Sequence, residues 1–371
     1  MTDAPPAQRP SVVVLGGGYG GINAAKALDD IADVTLVDPT DAFVHNVAAW
    51  RALVEPEWLD RIFLPYDHLL ATGRFVRDRA VAIDGRRVTL ASGDVLEHDF
   101  LVLATGSSYP FPAKTEEPDV ASARSRVLAA HEALLSADRT LIVGAGPAGL
   151  ELAGEIKAFF PDKDVTIVDV ADDILTGPYD QPLRDELRRQ LDEMGVELRL
   201  GSALRELPST PPATLGTIRI VTEDGDELVA DMWFRAFGVR PHSEYLESGS
   251  LGDRRDERGY IRVDDHLRVA GQTDVFALGD VSDADRDMAG IASRQAAVVA
   301  ANLRVLITGE GDLERYDTFP PMIAIPLGPE GGAGFIGDGV AGAATIAELK
   351  GRHMLIDSYA SLFDAIPVAA A

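Results

Sequence analysis

Apolar and polar positions along this chain alternate between short continuous apolar runs and longer stretches at helical spacing. The run SVVVL (11–15) shows no polar face, as expected of a strand covered on both sides of a parallel sheet. Glycines follow at once, then a helical pattern over 19–30, then a second run, DVTLVD (33–38). The same order returns at RTLIVGAG (139–146), over 147–160, and at DVTIVD (164–169). Between the copies, RRVTLASGDVLEHDFLVLATG (86–106) predicts two hairpin strands and a buried strand ending at a turn. After the second copy, ELRLGSALREL (197–207) and TIRIVTEDGDELVADMWFRAFG (217–238) repeat that order. TDVFALGDVSD (273–283) predicts a further buried strand and turn ahead of a long helix around 288–307. From 311 onward Gly and Pro become frequent, which predicts a small C-terminal domain. Strands alternating with helices predict an α/β protein with parallel sheets.

Composition narrows the classes. A chain of 371 residues is expected to form two or three domains. A formal charge of −26 argues against nucleic acid and anionic membrane surfaces as partners. The basic charge is mostly arginine, a bias of GC-rich coding that suggests a bacterial source. There is no cysteine, so disulfide frameworks, thiolate metal sites and Cys-x-x-Cys redox chemistry are excluded. The seven histidines show no metal-ligand spacing, and no metal is expected. No apolar run reaches the length of a membrane span, and MTDAPPAQRP (1–10) reads as a short tail rather than a secretory signal. A cytoplasmic location is expected, with peripheral membrane contact left open; oligomeric state is not legible.

In Gly16-Gly17-Gly18-Tyr19-Gly20-Gly21 the first, third and sixth positions are glycine. The first allows a tight turn, the second close approach of backbone to a pyrophosphate, and the third packing of helix on strand. The helix start, opened by Tyr19, offers free N–H groups and a positive dipole end. Asp38 ends the next strand, where a carboxylate can accept from an adenosine ribose. A glycine turn without ligand is the alternative. Gly144-Ala145-Gly146-Pro147-Ala148-Gly149 satisfies the same logic, with Asp169 closing its second strand. A carboxylate there repels a 2′-phosphate, and 170–173 supplies no Arg or Lys, so NADH is favoured over NADPH. Two such turns imply two dinucleotides, and hydride transfer between a flavin and a nicotinamide accounts for the pairing.

Together with Ala104-Thr105-Gly106 and Gly279-Asp280, the two turns resemble the two-dinucleotide-binding-domain flavoproteins of the glutathione-reductase fold. The resemblance implies two Rossmann-like dinucleotide-binding domains plus a small C-terminal α+β domain. An FAD-binding domain would occupy 1–110 and 237–310, an NAD(H)-binding domain 111–236, and the small domain 311–371. FAD would bind tightly without a covalent link, with Asp280 at its ribityl–phosphate region and Val81 among the cofactor-binding residues. More narrowly, DAFVHNVAAWRALVEPEW (41–58), GSSYPFPAK (106–114), GPAGLELAGEIK (146–157) and KGRHMLIDSYASLFD (350–364) are similar to the apoptosis-inducing-factor-like NADH–quinone oxidoreductases, the group that includes the ferroptosis suppressor proteins. Type II NADH dehydrogenases are more distantly similar. This implies NADH oxidation by FAD, followed by reduction of a quinone-like acceptor. One departure is Ala236-Phe237-Gly238, where the family usually has Ala-Thr-Gly; Phe237 would shield or obstruct the nicotinamide beside Gly238. Another is the closing PVAAA, which lacks an amphipathic anchor.

The resemblance places Glu151 near the nicotinamide and Lys350 near the flavin or acceptor, as candidate catalytic residues; solvated side chains are the alternative for both. The helix starting near Met288 would aim its N-terminus at the flavin, stabilising charge as it is reduced. Asn46 would bond the flavin or hold its loop, Arg51 would pair with FAD phosphates or form a surface ion pair, and His45 reads equally as a core histidine. The tryptophans at 50, 58 and 233 read first as core. Two other functions remain open at this level. One is a specialised flavoenzyme for a biosynthetic intermediate, with a weakened NADH site; the other is a non-turnover redox sensor.

Overall fold

The computed structural model describes residues 9–318 and 320–363. Most of the expected N-terminal tail and the whole PVAAA segment lie outside the described residues. The first strand–turn–helix unit is β1 (Ser11–Leu15), α1 (Tyr19–Leu28) and β2 (Asp33–Asp38). It continues through α2 (Ala49–Val54), β3 (Arg74–Arg77) and β4 (Phe100–Leu103). A long helix, α3 (Val120–Ser136), leads to the second unit: β5 (Arg139–Val143), α4 (Pro147–Phe159) and β6 (Asp164–Val168). Then follow α5 (Gln181–Glu193), β7 (Val196–Arg199) and β8 (Met232–Arg235). The chain returns with β9 (Val275–Ala277) and α6 (Ala289–Thr308), and ends in β10 (Ile323–Leu327), β11 (Gly331–Ile336) and β12 (Gly339–Ala341).

Two parallel sheets result, in the orders β9-β4-β1-β2-β3 and β7-β6-β5-β8. The first sheet is completed by β9, a strand from beyond the second sheet. Register decides what gathers where. Leu15 pairs with Val37 and Leu103, so the turns at 16–21, 38–40 and 104–106 emerge on one edge. In the second sheet Val143 pairs with Val168 and Arg235, which brings 144–149, Asp169 and 236–238 to its own carboxyl edge. That edge is where open α/β sheets bind ligands.

The apolar runs are buried as their lack of a polar face predicts: Val12, Val14, Leu36, Ile142 and Ile167 are at most 1% exposed. Ile323, Ile325 and Leu327 of the C-terminal antiparallel sheet pack into the core of the second sheet rather than forming a core of their own. Trp50, Trp58 and Trp233 are buried, in agreement with the core reading. Two helices, α3 and α5, stand outside the repeated strand–turn–helix pattern. In α3, Ala123, Val127, Ala130 and Leu134 face inward at helical spacing behind an Asp119 cap that accepts from the Ser122 N–H at 2.7 Å. In α5, Leu183, Leu187 and Leu191 form a narrow buried stripe within a highly charged segment.

Candidate functional site

The first glycine turn is built to leave its backbone open. Gly16 has φ +101°, and a Cβ there would lie 2.3 Å from the Ala104 carbonyl oxygen. By contrast, a Cβ on Gly18 would meet nothing within 4 Å. Gly18 provides no side-chain cap for α1, so the first-turn N–H groups remain for an anion. The Gly17 N–H, which the glycine pattern does not single out, donates to Asp38 Oδ2 at 2.6 Å. Thr40 holds the other oxygen through its N–H (2.9 Å) and hydroxyl (2.6 Å). Burial pushes the Asp38 carboxyl above its usual range while these donors pull it back. Asp38 therefore ties the turn to its neighbouring strand and keeps lone pairs for a ribose. These features fit a dinucleotide.

The second turn repeats the device. The Ala145 N–H donates to Asp169 Oδ2 at 2.6 Å, and the Ala171 N–H to Oδ1 at 2.8 Å. Gly146 and Pro147 open α4 without a side-chain cap, ahead of Ala148 and Gly149. Arg199, whose strand ends beside Asp169, is paired with Glu197. Four residues beyond Pro147, Glu151 meets Lys350 from the far end of the chain: Nζ to Oε1 is 2.7 Å. Both side chains are mostly buried, at 14% and 16% exposed, and Lys350 also reaches the Ala324 carbonyl at 3.3 Å. The two candidate catalytic residues thus form one unit. The solvated alternative for them is set aside.

Lys350 sits on a π-helical turn, Ala347–Gly351, and the chain then passes through Met354 and Leu355 at φ +47° and +59°. Side chains rarely adopt that left-handed region, so this return must be held. His45, fully buried, holds it: Nε2 donates to the Met354 carbonyl at 2.6 Å. The remaining nitrogen, Nδ1, accepts from the Tyr19 hydroxyl at 3.3 Å, and that hydroxyl accepts from the Val47 N–H at 3.0 Å. His45 thus links the first turn to the Lys350 segment, a role the sequence did not suggest. Burial, aided by the Lys350 and Arg61 charges, lowers its pKa to about 4, with the Met354 carbonyl opposing. A histidine pKa lowered on folding contributes stability that is complete above about 6.5 and lost as pH falls toward 4, worth about 3 kcal/mol. His45→Gln keeps a donor for the carbonyl but cannot charge. Urea melts should show the gap between the two proteins changing across that window, with wild type losing more on acidification; parallel curves would exclude His45 as the source.

Arg51 is not placed as expected. It is 2% exposed and bonded bidentately to Glu155, with Nη2 also donating to the Gly351 carbonyl. Its acid partner, 1% exposed, is a buried one rather than a surface one. Asn46 opens the short turn Asn46–Ala48 beside His45. Val81 lies half-exposed at a bulge in Ala80–Asp84. Thr105 donates to the His242 carbonyl, and Gly106, at φ +64°, faces open space. Asp280 accepts from Ser107 (2.7 Å) and Lys114 (3.1 Å), two residues the motifs did not flag. Gly279 donates its N–H to Gln295 at 2.6 Å, tying that turn to α6, whose start at Met288 lacks a side-chain cap. Phe237 is 38% exposed beneath the Arg235 guanidinium, 4.5 Å from its ring centre.

The sequence pattern of the pyridine nucleotide-disulphide oxidoreductases matches residues 10–301. The chain is 32% identical to ferroptosis suppressor protein 1 of Taeniopygia guttata, over 93% of each chain. It is 29% identical to apoptosis-inducing factor homolog B of Dictyostelium discoideum, over 95% of this chain and 97% of that one. Among solved structures, the sulfide:quinone oxidoreductase from Aquifex aeolicus superposes with a TM-score of 0.75 over 97% of this chain and 93% of that one. At 16% identity, that likeness is one of fold.

Proposed function

The chain belongs to the pyridine nucleotide-disulphide oxidoreductase family, and on that premise we propose that it takes a hydride from NADH onto FAD and delivers the electrons to a quinone or similar small acceptor. The carrying observation is the Glu151–Lys350 unit, held two residues beyond the second glycine turn of a chain that has no cysteine. Without a thiol, the family's disulphide chemistry has no protein group to run through. Bound FAD would supply the redox chemistry, accepting two electrons as a hydride and passing them on. On this reading the first sheet holds FAD and the second the nicotinamide dinucleotide.

The chain's own residues bind, orient and shield. Asp38 and Asp169 close the two turns, and uncapped α1 and α4 present N–H groups to phosphates. Asp169, with Arg199 already paired, favours the unphosphorylated ribose of NADH. Glu151 would accept from the nicotinamide amide, and Lys350 fixes the carboxylate that does so. Substituting Glu151→Gln or Lys350→Met should slow flavin reduction by NADH about 10- to 100-fold, the usual cost of misplacing a reactant. The double variant should be no slower than the worse single one, because the pair acts as a unit. Stopped-flow reduction checks this, and additive losses would show two independent roles.

The direct test is anaerobic titration of the holoprotein with NADH, followed by a short-chain quinone. Bleaching of the flavin and its recovery on quinone are expected. A flavin that stays oxidised in excess NADH would overturn the reading. Phe237, lodged under Arg235 at the nicotinamide edge, would then favour the second reading: a flavoenzyme acting on its own substrate, with NADH excluded.

A further inference from the structure

A cavity of about 240 Å³ opens at the carboxyl edge of the second sheet, between Arg235, Gly238 and Arg240 on one side and the segment 108–114 on the other, and neither glycine turn contributes to it. Its lining includes Tyr109, Phe111, Arg126, Arg235 and Arg240. Tyr109 connects it to the site: the phenol is pushed up to about 12 by burial first and then by the Glu151 carboxylate, with Arg235 opposing. The strand register explains why Arg235 stands here. As the last residue of β8, paired with Val143, it sits at the same carboxyl edge as the second turn.

The charge balance at this mouth runs against the rest of the molecule. The chain carries −26, yet the cavity is lined by Lys114, Arg126, Arg235 and Arg240 against one acid, Glu116. Lys114 is committed to Asp280 and Arg126 to Glu117. Among the described residues, the side chains of Arg235 and Arg240 have no hydrogen bond or ion pair. Arg235 is stacked on Phe237, and its Nε is closed off from solvent without a partner. A donor held out of water gains most from an anion, and a planar guanidinium reads a carboxylate through two parallel bonds. Tyr109 and Phe111 add aromatic rings to the lining, with the Arg126 guanidinium 4.1 Å from the Phe111 ring centre. The volume falls below the roughly 300–1,000 Å³ of drug-sized ligand pockets, which suits one or two rings rather than an isoprenoid tail.

We propose that this cavity is a subsite for an oxyanion on the second substrate: a small planar aromatic acceptor bearing a carboxylate, held by Arg235 and Arg240. The proposal deepens the oxidoreductase reading, since it takes the Glu151–Lys350 edge as the place of reaction. A phosphate of the dinucleotide offers the same chemistry, so the test separates the two sources.

The oxidised holoprotein is titrated calorimetrically with 2-naphthoate and with 2-naphthamide, which share a ring system and differ in charge. Wild type should bind the anion at least about 10-fold tighter, since a hydrogen bond to a charged group contributes about 1.5–3 kcal/mol. The preference should shrink with added salt. Arg235→Leu should abolish it, and Arg240→Leu, at an exposed position, should reduce it without risk to the fold. Equal affinity for the two probes, or no binding of either, overturns the proposal. So does an Arg235→Leu variant that loses affinity for NADH while keeping its preference for naphthoate, which would assign the arginine to a dinucleotide phosphate. Failure of NADH to reduce the flavin would sink the oxidoreductase reading alone, because the naphthoate titration uses oxidised protein and still decides the subsite.

Discussion

Arg51→Met should cost about 3–5 kcal/mol of stability at neutral pH, because it strands a carboxylate inside the protein. The Arg51 guanidinium gives Glu155 two bonds, of 2.6 and 2.9 Å, with the side chains 2% and 1% exposed. A third bond, to the Gly351 carbonyl at 2.9 Å, joins α2 and α4 to the turn that carries Lys350. The aromatic faces of Trp58 and Phe159 lie 5.6 and 5.4 Å from the guanidinium carbon and complete a dry surround. Burial raises the Glu155 carboxyl, and Arg51 pulls it back. Removing Arg51 leaves only the raising effect. A carboxyl raised on folding binds its proton more tightly in the native state, so the penalty is full above its native pKa and shrinks as pH falls toward the ordinary glutamate value. Urea melts between pH 7 and 5 should therefore show the gap from wild type narrowing on acidification. A gap that stays constant would mean that lost packing, not stranded charge, is responsible. Arg51→Met combined with Glu155→Leu should recover most of the loss, since apolar replacement of both partners removes the buried charge.

The second large effect is loss of flavin from Gly21→Ala. A Cβ at Gly21 would stand 1.7 Å from the Gly16 carbonyl oxygen, so helix and turn must separate. Overpacking of this kind costs about 1–3 kcal/mol, and at the upper end, expressed in cofactor affinity, that is about 100-fold. The matched control is Gly18→Ala, where a Cβ meets no protein atom within 4 Å. It should leave the thermal midpoint of the apoprotein unchanged while weakening FAD, because its methyl group projects where a diphosphate must approach. Flavin content and apoprotein melting, measured on both variants, separate the two mechanisms. Equal flavin retention in Gly21→Ala and wild type would refute the placement of FAD at this turn.

Local patterns carried the scaffold because they reflect local physics. An apolar run without a polar face has only one comfortable setting, a strand covered on both sides, and SVVVL and RTLIV adopt it. Gly16 and Gly144 stand where positive φ is needed, at +101° and +119°, so each turn could be read from residue type alone. The helix over 181–193 carries its own signal as well, in the spacing of Leu183, Leu187 and Leu191.

The contacts at the site have a different origin. Arg51 is a positive residue in a segment near the first turn, and nothing in 41–58 says that its partner lies more than a hundred positions away. His45 offered no distinguishing pattern because its partner is a carbonyl, which every residue possesses. Arg235 and Arg240 belong to no motif; they come to line one cavity only when β8 and the turn after it are brought against Tyr109 and Phe111.

By itself, then, the sequence determined the elements and the two dinucleotide turns, since these follow from backbone conformation and from burial along a short stretch of chain. It also determined that no thiol takes part, which is a matter of composition. Tertiary structure alone decided which charges meet. Lys350 meets Glu151 across 199 positions, Arg51 meets Glu155 across 104, and Lys114 meets Asp280 across 166. The strength of each contact depends on distance and on exclusion of water, and both are properties of the folded chain.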